Sequence, residues 1–222
     1  MAQQAAVRWP RAQGPGGAAE YVPAVRIKLA QSPAEWAGAV AVRLAVFVDE
    51  QGVPLSSEMD EHDRSAVHAV AVLGAPADPE RQDEYERLLS PARSGTALRA
   101  AAQAGKYLPL SLSGARTSTS GAVVLAPVVA TGRLLRAAGG VARIGRLAVL
   151  PEWRRHGLGS RVLRLLEEAA LARGARRVTL HAQVHALPFY LRYGYAVDEP
   201  NRVFLEDNIP HVLLAKPLSP DM

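Results

Sequence analysis

The sequence predicts an α/β fold, and three observations carry that expectation. The chain has 222 residues and 49% hydrophobic content, enough for one sizeable core. After residue 140 the apolar pattern runs strand, helix, strand, helix, strand. Two helices carry local start or stop signals, a proline-containing capping box at residues 32–35 and a closing glycine at Gly174.

In chain order, residues 1–22 have no apolar period and read as a flexible tail whose Arg content faintly resembles a transit peptide without the serine enrichment. Residues 24–29 alternate, with Val25, Ile27 and Leu29 on one face and Arg26 and Lys28 on the other, which is the period of a half-buried strand. A helix then starts at Ser32-Pro33-Ala34-Glu35, a capping box with proline where its missing N–H costs nothing. Trp36, Val40, Leu44 and Phe47 follow at helical spacing, and the helix is expected to end before Gln51-Gly52-Val53-Pro54.

Strands are expected at 67–73 and 127–135. Between them, residues 76–121 are rich in Ala, Ser, Gly and charge, with a helix at 78–89 and a Ser/Thr patch at 118–120; a structureless loop of that length does not belong inside a core, so it reads as an insertion at a hairpin tip. One domain is expected over 23–218, with the role of 76–121 unknown. A strand at 141–149 leads into an amphipathic helix whose stripe is Leu158, Val162, Leu165, Leu166 and Ala169, closed by Gly174. A strand at 177–183, a short helix at 186–193 ending at Gly194 and a last strand at 212–215 complete the pattern.

Composition narrows the chemistry. There is no cysteine, so disulfide, thiolate-metal and cysteine-nucleophile chemistry are excluded. Apolar runs such as 122–130 fall far short of the roughly 20 residues that span a bilayer, and no signal-peptide apolar region opens the chain, so a cytoplasmic protein without a membrane partner is expected. Net charge is +5 with a sequence pI near 9.9, which favours an anionic partner or reflects an arginine-rich compositional bias. Aromatics are only 5% and no nucleic-acid reader motif is present, so nucleic acid is not the expected partner.

The charges are segregated. Residues 133–177 hold 11 arginines against Glu152, Glu167 and Glu168, whereas Asp49, Glu50, Glu58, Asp60, Glu61 and Asp63 form a stretch without Lys or Arg, suited to a cation or simply a solvated face. His62, Asp60 and Asp63 suit a capped turn better than a metal site, and no metal is expected. Within the basic region, Arg154-Arg155-His156-Gly157-Leu158-Gly159-Ser160 lies between a strand and a helix start, where unpaired N–H groups and a positive dipole end can hold a phosphate. The spacing matches neither a P-loop nor the full dinucleotide fingerprint.

The run 145–159, Gly-Arg-Leu-Ala-Val-Leu-Pro-Glu-Trp-Arg-Arg-His-Gly-Leu-Gly, resembles motif A of the GNAT N-acetyltransferases, whose R/Q-x-x-G-x-G/A turn holds the pyrophosphate of acetyl-CoA. Residues 186–195, Ala-Leu-Pro-Phe-Tyr-Leu-Arg-Tyr-Gly-Tyr, resemble the same superfamily's A-x-x-F-Y-x-x-x-G-F motif, with Tyr195 in place of Phe. Residues 43–54 with Glu58-Met59-Asp60, then 181–183 and 204–211, resemble the ElaA-type branch. The resemblance spans about residues 24–216 apart from the insertion. It implies a mixed, mostly antiparallel central sheet flanked by helices, with the long hairpin insertion as its departure.

It further implies transfer of an acetyl group from acetyl-CoA, the acyl-donor substrate, to a primary amine on a small molecule or a protein, by direct attack in a ternary complex. The alternatives are a non-catalytic acyl-CoA-binding regulatory module and a basic nucleic-acid-interaction protein, and a homodimer is left open. By resemblance Leu147, Ala148 and Val149 offer backbone to the pantetheine arm and thioester oxygen, Arg154, Arg155, His156, Gly157, Leu158, Gly159 and Ser160 take the phosphates, and Gln183 contacts the cofactor. Tyr190 matches the motif tyrosine and is the candidate general acid, with a buried structural tyrosine as the alternative. The strand at 141–149 lacks the carboxylate that many relatives use as base. His181, in alternation with Thr179 and Gln183, is a candidate, with Glu58, His68 and a water relay as rivals.

Overall fold

The structure, a computed structural model, describes residues 24–75, 103–109, 112, 126–199 and 202–219. The expected tail, the 78–89 helix and the 118–120 patch lie outside these residues. Strand β1 (Val25–Leu29) buries Val25 and Ile27 and leaves Arg26 exposed. Ser32 caps α1 (Pro33–Arg43), its Oγ accepting from the Glu35 N–H at 3.2 Å. Glu35 reaches one residue further back than a capping box requires, accepting from the Gln31 N–H at 2.7 Å.

The helix continues past Arg43 as a seven-residue π-helix, Leu44–Glu50, instead of remaining α-helical to its end. The wider turn rotates Phe47, Glu50 and the following Gln51 to one side, where they meet the cleft described below. A single turn, α2 (Leu55–Glu58), and a 3-10 turn, Glu61–Arg64, lead to β2 (Val67–Leu73). Strands β2 and β3 (Val128–Ala138) are antiparallel neighbours, so residues 74–127 connect adjacent strands. Part of that connection joins the core: Ala104 and Leu112 are buried, and the Ala104 carbonyl accepts from the fully buried Trp36 indole at 3.0 Å.

Among the described residues eight strands form one sheet in the order β1-β2-β3-β4-β5-β8-β6, with β4 (Val141–Val149), β5 (Arg177–Gln183), β6 (Ala196–Val197) and β8 (Ile209–Pro217). Strand β7 (Val203–Glu206) pairs with β8 beyond β6. Every pairing is antiparallel except β4 with β5. The sequence reading missed β6 and β7, which are short, and truncated β8, whose first residues include a proline.

Helices α1 and α3 (Leu158–Leu171) flank the sheet at close quarters. A Cβ on Gly38 of α1 would lie 2.5 Å from the Ala126 carbonyl oxygen and 2.7 Å from Val128 Cγ2, so α1 docks only because that side chain is missing. On α3, Val162 and Leu166 pack fully buried over Gly132 of β3. The short helix α4 (Leu187–Arg192) follows a 3-10 turn at Val184–Ala186.

Beneath α1 the acidic stretch is gathered around arginines. Arg43, 1% exposed, donates from Nε to Glu58 at 2.6 Å and from both terminal nitrogens to Asp63 at 2.7 and 3.1 Å. Arg133 reaches Asp60 at 2.7 Å and Asp63 at 2.9 Å, and Arg146 reaches Glu58 at 3.0 Å. Burial alone would raise the Asp63 pKa, but Arg43 overcomes it and holds the carboxyl at about 2. His68 packs against Trp36 with ring centroids 4.3 Å apart and lies away from the cleft, so it leaves the set of candidate bases. Burial and the neighbouring Arg43 charge push its pKa down to about 3.

A pH dependence follows. His68 stays neutral in the folded chain while its unfolded counterpart protonates near 6.5, so stability is lost progressively from about pH 6.5 down to 3. Asp63 adds a further loss between about 3.8 and 2. Glu58, raised by burial against the pull of Arg43 and Arg146, acts in the opposite sense above 4.5. His68→Phe keeps a ring against Trp36 and is expected to flatten the fall in urea midpoint between pH 6.5 and 4; an unchanged slope would assign it to other groups.

Candidate functional site

Strands β4 and β5 pair in parallel only at Val141–Arg177, Ala142–Val178 and Arg143–Thr179. Past these residues they diverge, and the opening becomes a cleft of about 760 Å³. Its walls are the second half of β4, the start of α3, the end of β5 and α4, with the π-helix and the β7–β8 hairpin closing the other side.

On the β4 wall, Thr131 pairs with Ala148 and Arg133 with Gly145, so Arg146 and Leu147 oppose the single residue Gly132. This is a β-bulge, and Arg146 takes a left-handed φ of 53° there. An arginine in that conformation costs about 1 kcal/mol or more. Its side chain secures it, donating to the Ser57 and Glu58 carbonyls at 2.8 and 3.2 Å as well as to the Glu58 carboxylate. The bulge thus takes in Leu147, the first of the three residues expected to offer backbone to the donor, and Leu147, Ala148 and Val149 all line the cleft.

The chain then turns into α3 through Gly157, which is the N-cap with φ 73° and supplies no side-chain cap. Arg154, Arg155, Gly157, Leu158, Gly159 and Ser160 line the cleft, so the first N–H groups of a 14-residue helix open onto it. His156 is not among the lining residues. The backbone of Gly159 sits beside Val149 and Phe189, where a Cβ would find ordinary contact at 3.5 and 3.7 Å.

Opposite, α4 contributes Tyr190, which lines the cleft while its ring meets Phe189 at 4.9 Å and Tyr195 at 5.8 Å, both edge to face. Burial pushes its phenol well above 10, which keeps the hydroxyl protonated at neutral pH. At the end of β5, Gln183 donates to Gln51 at 2.8 Å, and His181 places Nδ1 2.5 Å from the Glu206 carboxylate and 2.8 Å from the Arg143 guanidinium. With the ring proton on Nδ1 directed at Glu206, Nε2 carries the lone pair that can take a proton, and Arg143 acts on the pair through the Glu206 carboxylate, 3.7 Å away. The His181 ring is braced edge to face by Phe204, 4.8 Å between centroids.

Glu58 also lines the cleft, yet it is 2% exposed and ion-paired with Arg43 and Arg146. The acidic stretch is therefore no free anionic surface for a cation: Glu50, Glu58, Asp60, Glu61 and Asp63 each meet an arginine. Sequence reasoning gave no role to Arg143, Arg146 or Glu206. Only Glu206 carried a usable signal, the Asp207-Asn208 pair that follows it, whose left-handed φ values of 49° and 63° suit a two-residue hairpin turn.

Residues 119–218 match the family profile of the acetyltransferase (GNAT) domain. The Bacillus subtilis protein YyaT, itself uncharacterized, is 38% identical over 91 residues, covering 41% of this chain and 60% of its own length. The chain thus spans about three fifths of that curated relative. A crystal structure of a candidate N-acetyltransferase from Lactobacillus plantarum aligns with TM-score 0.59 and 26% identity, covering 88% of this chain and 99% of the other. Escherichia coli ElaA shares the fold at TM-score 0.54 and 18% identity, over 86% of this chain and 99% of its own.

Proposed function

We propose that this chain, whose residues 119–218 match the acetyltransferase (GNAT) domain, is an acetyltransferase of that kind that moves an acetyl group from acetyl-CoA to a primary amine by direct attack in a ternary complex. The observation that carries the proposal is one cleft lined by three unlike features: an uncapped helix N-terminus behind Gly157, a protonated phenol at Tyr190, and an imidazole held by a carboxylate at His181 and Glu206.

Each feature answers a need of the reaction. The diphosphate of the donor would take the α3 N-terminus with Arg154 and Arg155. The bulged backbone near Leu147 and Ala148 leaves ladder groups free to polarise a carbonyl. An alkylamine is almost fully protonated at pH 7, so the attacking nitrogen must lose a proton, and His181 Nε2 is the atom for it, with Glu206 accepting the Nδ1 proton and fixing the ring. Tyr190 gives its proton to the departing thiolate, since burial raises its phenol and so keeps that proton in place at neutral pH until the thiolate forms. No cysteine is present to carry the acetyl group, which favours attack without a cysteine-bound intermediate.

The test is the initial-rate pattern. Intersecting lines for acetyl-CoA against amine, with no acetyl mass added to the protein by acetyl-CoA alone, are the expected result; parallel lines with an acetylated protein would replace direct attack by a covalent route.

The phosphate turn makes a separate prediction. Gly157→Val forces a β-branched residue into a left-handed conformation, at about 1–2 kcal/mol, and Gly159→Val puts a branched side chain beside Val149 and Phe189, where the donor would approach the backbone. The double variant is expected to lose about 2–8 °C of thermal midpoint and to show no further rise with acetyl-CoA. An unchanged acetyl-CoA shift would place the donor elsewhere.

A further inference from the structure

The last residue of the π-helix and the one after it reach opposite walls of the cleft. Glu50 accepts from the two terminal nitrogens of Arg154 at 2.8 and 2.5 Å, and Gln51 accepts from Gln183 at 2.8 Å. Arg154 is fixed on its other edge as well, donating from Nε to the Val149 carbonyl at 3.0 Å. Its guanidinium therefore lies in one orientation, three residues before Gly157, with its paired N–H fork filled by a carboxylate.

We propose that Glu50 is a stand-in anion for the phosphate turn: it holds the Arg154 fork ready, and yields it to the phosphate of a diphosphate-bearing donor. The inference rests on the acyl-CoA reading above and adds a positioning residue to that site. Carboxylate and phosphate take a guanidinium fork through the same two parallel N–H bonds, so they compete for one geometry. Glu50 and Arg154 are each about 40% exposed, which makes their pair weak enough to exchange. The backbone under Glu50 is secured, with the Gly52 N–H on the Val48 carbonyl and the Val53 N–H on the Phe47 carbonyl at 3.1 and 2.8 Å, while Gln51 is tied to Gln183. Exchange thus needs only a side-chain rotation, with the Nε bond to Val149 keeping the fork aimed.

Removing a structural contact weakens a ligand, whereas removing a competitor tightens it. Glu50→Gln keeps the shape and removes the charge. Titration calorimetry with acetyl-CoA at fixed salt is expected to show Kd falling about two- to fivefold in this variant, the range set by an exposed ion pair. In an Arg154→Ala background the same substitution is expected to change nothing. Weaker binding in Glu50→Gln, no change, or a tightening that persists without Arg154 would each overturn the proposal while leaving the donor reading intact. A wild-type protein that binds no acetyl-CoA would overturn both.

Discussion

Tyr190→Phe is expected to lower kcat by about 10² or more while acetyl-CoA binding persists. The substitution keeps the ring that meets Phe189 and Tyr195 and deletes only the hydroxyl, so the fold has little reason to respond. The diagnostic is the leaving group. A thioester whose thiol is more acidic needs less protonation as it departs, so the deficit of the variant shrinks with such a donor. A purely structural tyrosine would lower stability without any dependence on the thiol. Full activity in a folded Tyr190→Phe protein would remove the proposed acid and leave solvent as the proton source.

Arg43→Met is expected to cost about 3–5 kcal/mol, the usual penalty for stranding a buried charge. Arg43 holds Glu58 and Asp63 together, and both are almost completely shielded from water. Without it Arg133 and Arg146 still reach the cluster, but from β3 and β4 and not from α1, so two carboxylates share less positive charge in the same volume. Urea unfolding with an unchanged slope would give the loss as a lower midpoint, equivalent to roughly 6–20 °C in thermal midpoint. A loss under about 1 kcal/mol would mean that the cluster admits water and that its ion pairs behave like surface pairs.

These two residues differ in how legible they were. Tyr190 sits in a run whose chemistry is local: the turn at Gly157, the start of α3 and the short aromatic helix are each written in a few consecutive residues, because capping, left-handed turns and helical stripes are short-range effects. The Arg43 cluster is written across the chain. Glu58 lies 15 residues from Arg43 and 88 from Arg146, and Asp63 lies 70 from Arg133, so the acids were visible as a run while their partners were not. A charge run read alone looks solvated, and only the pairing of β2 with β3 and of β3 with β4 shows that it is buried. The π-helix was hidden for a related reason. Its apolar residues stay close enough to a 3.6-residue period to extend the α-helical pattern, although the change in hydrogen bonding swings Glu50 and Gln51 over the cleft. Glu206 was missed because its role depends on a hairpin folding it onto a strand 25 residues earlier.

The claim on which the rest depends is acetyl transfer itself. A panel of primary amines, from small polyamines to peptides with free lysines and N-termini, should be incubated with acetyl-CoA and the wild-type chain while free thiol is measured. Thiol release that requires one of the amines, with acetylated amine formed in equal amount, is the predicted result. Acetyl-CoA binding without amine-dependent thiol release across the panel would contradict it, and would assign the same cleft to a non-catalytic acyl-CoA-binding module.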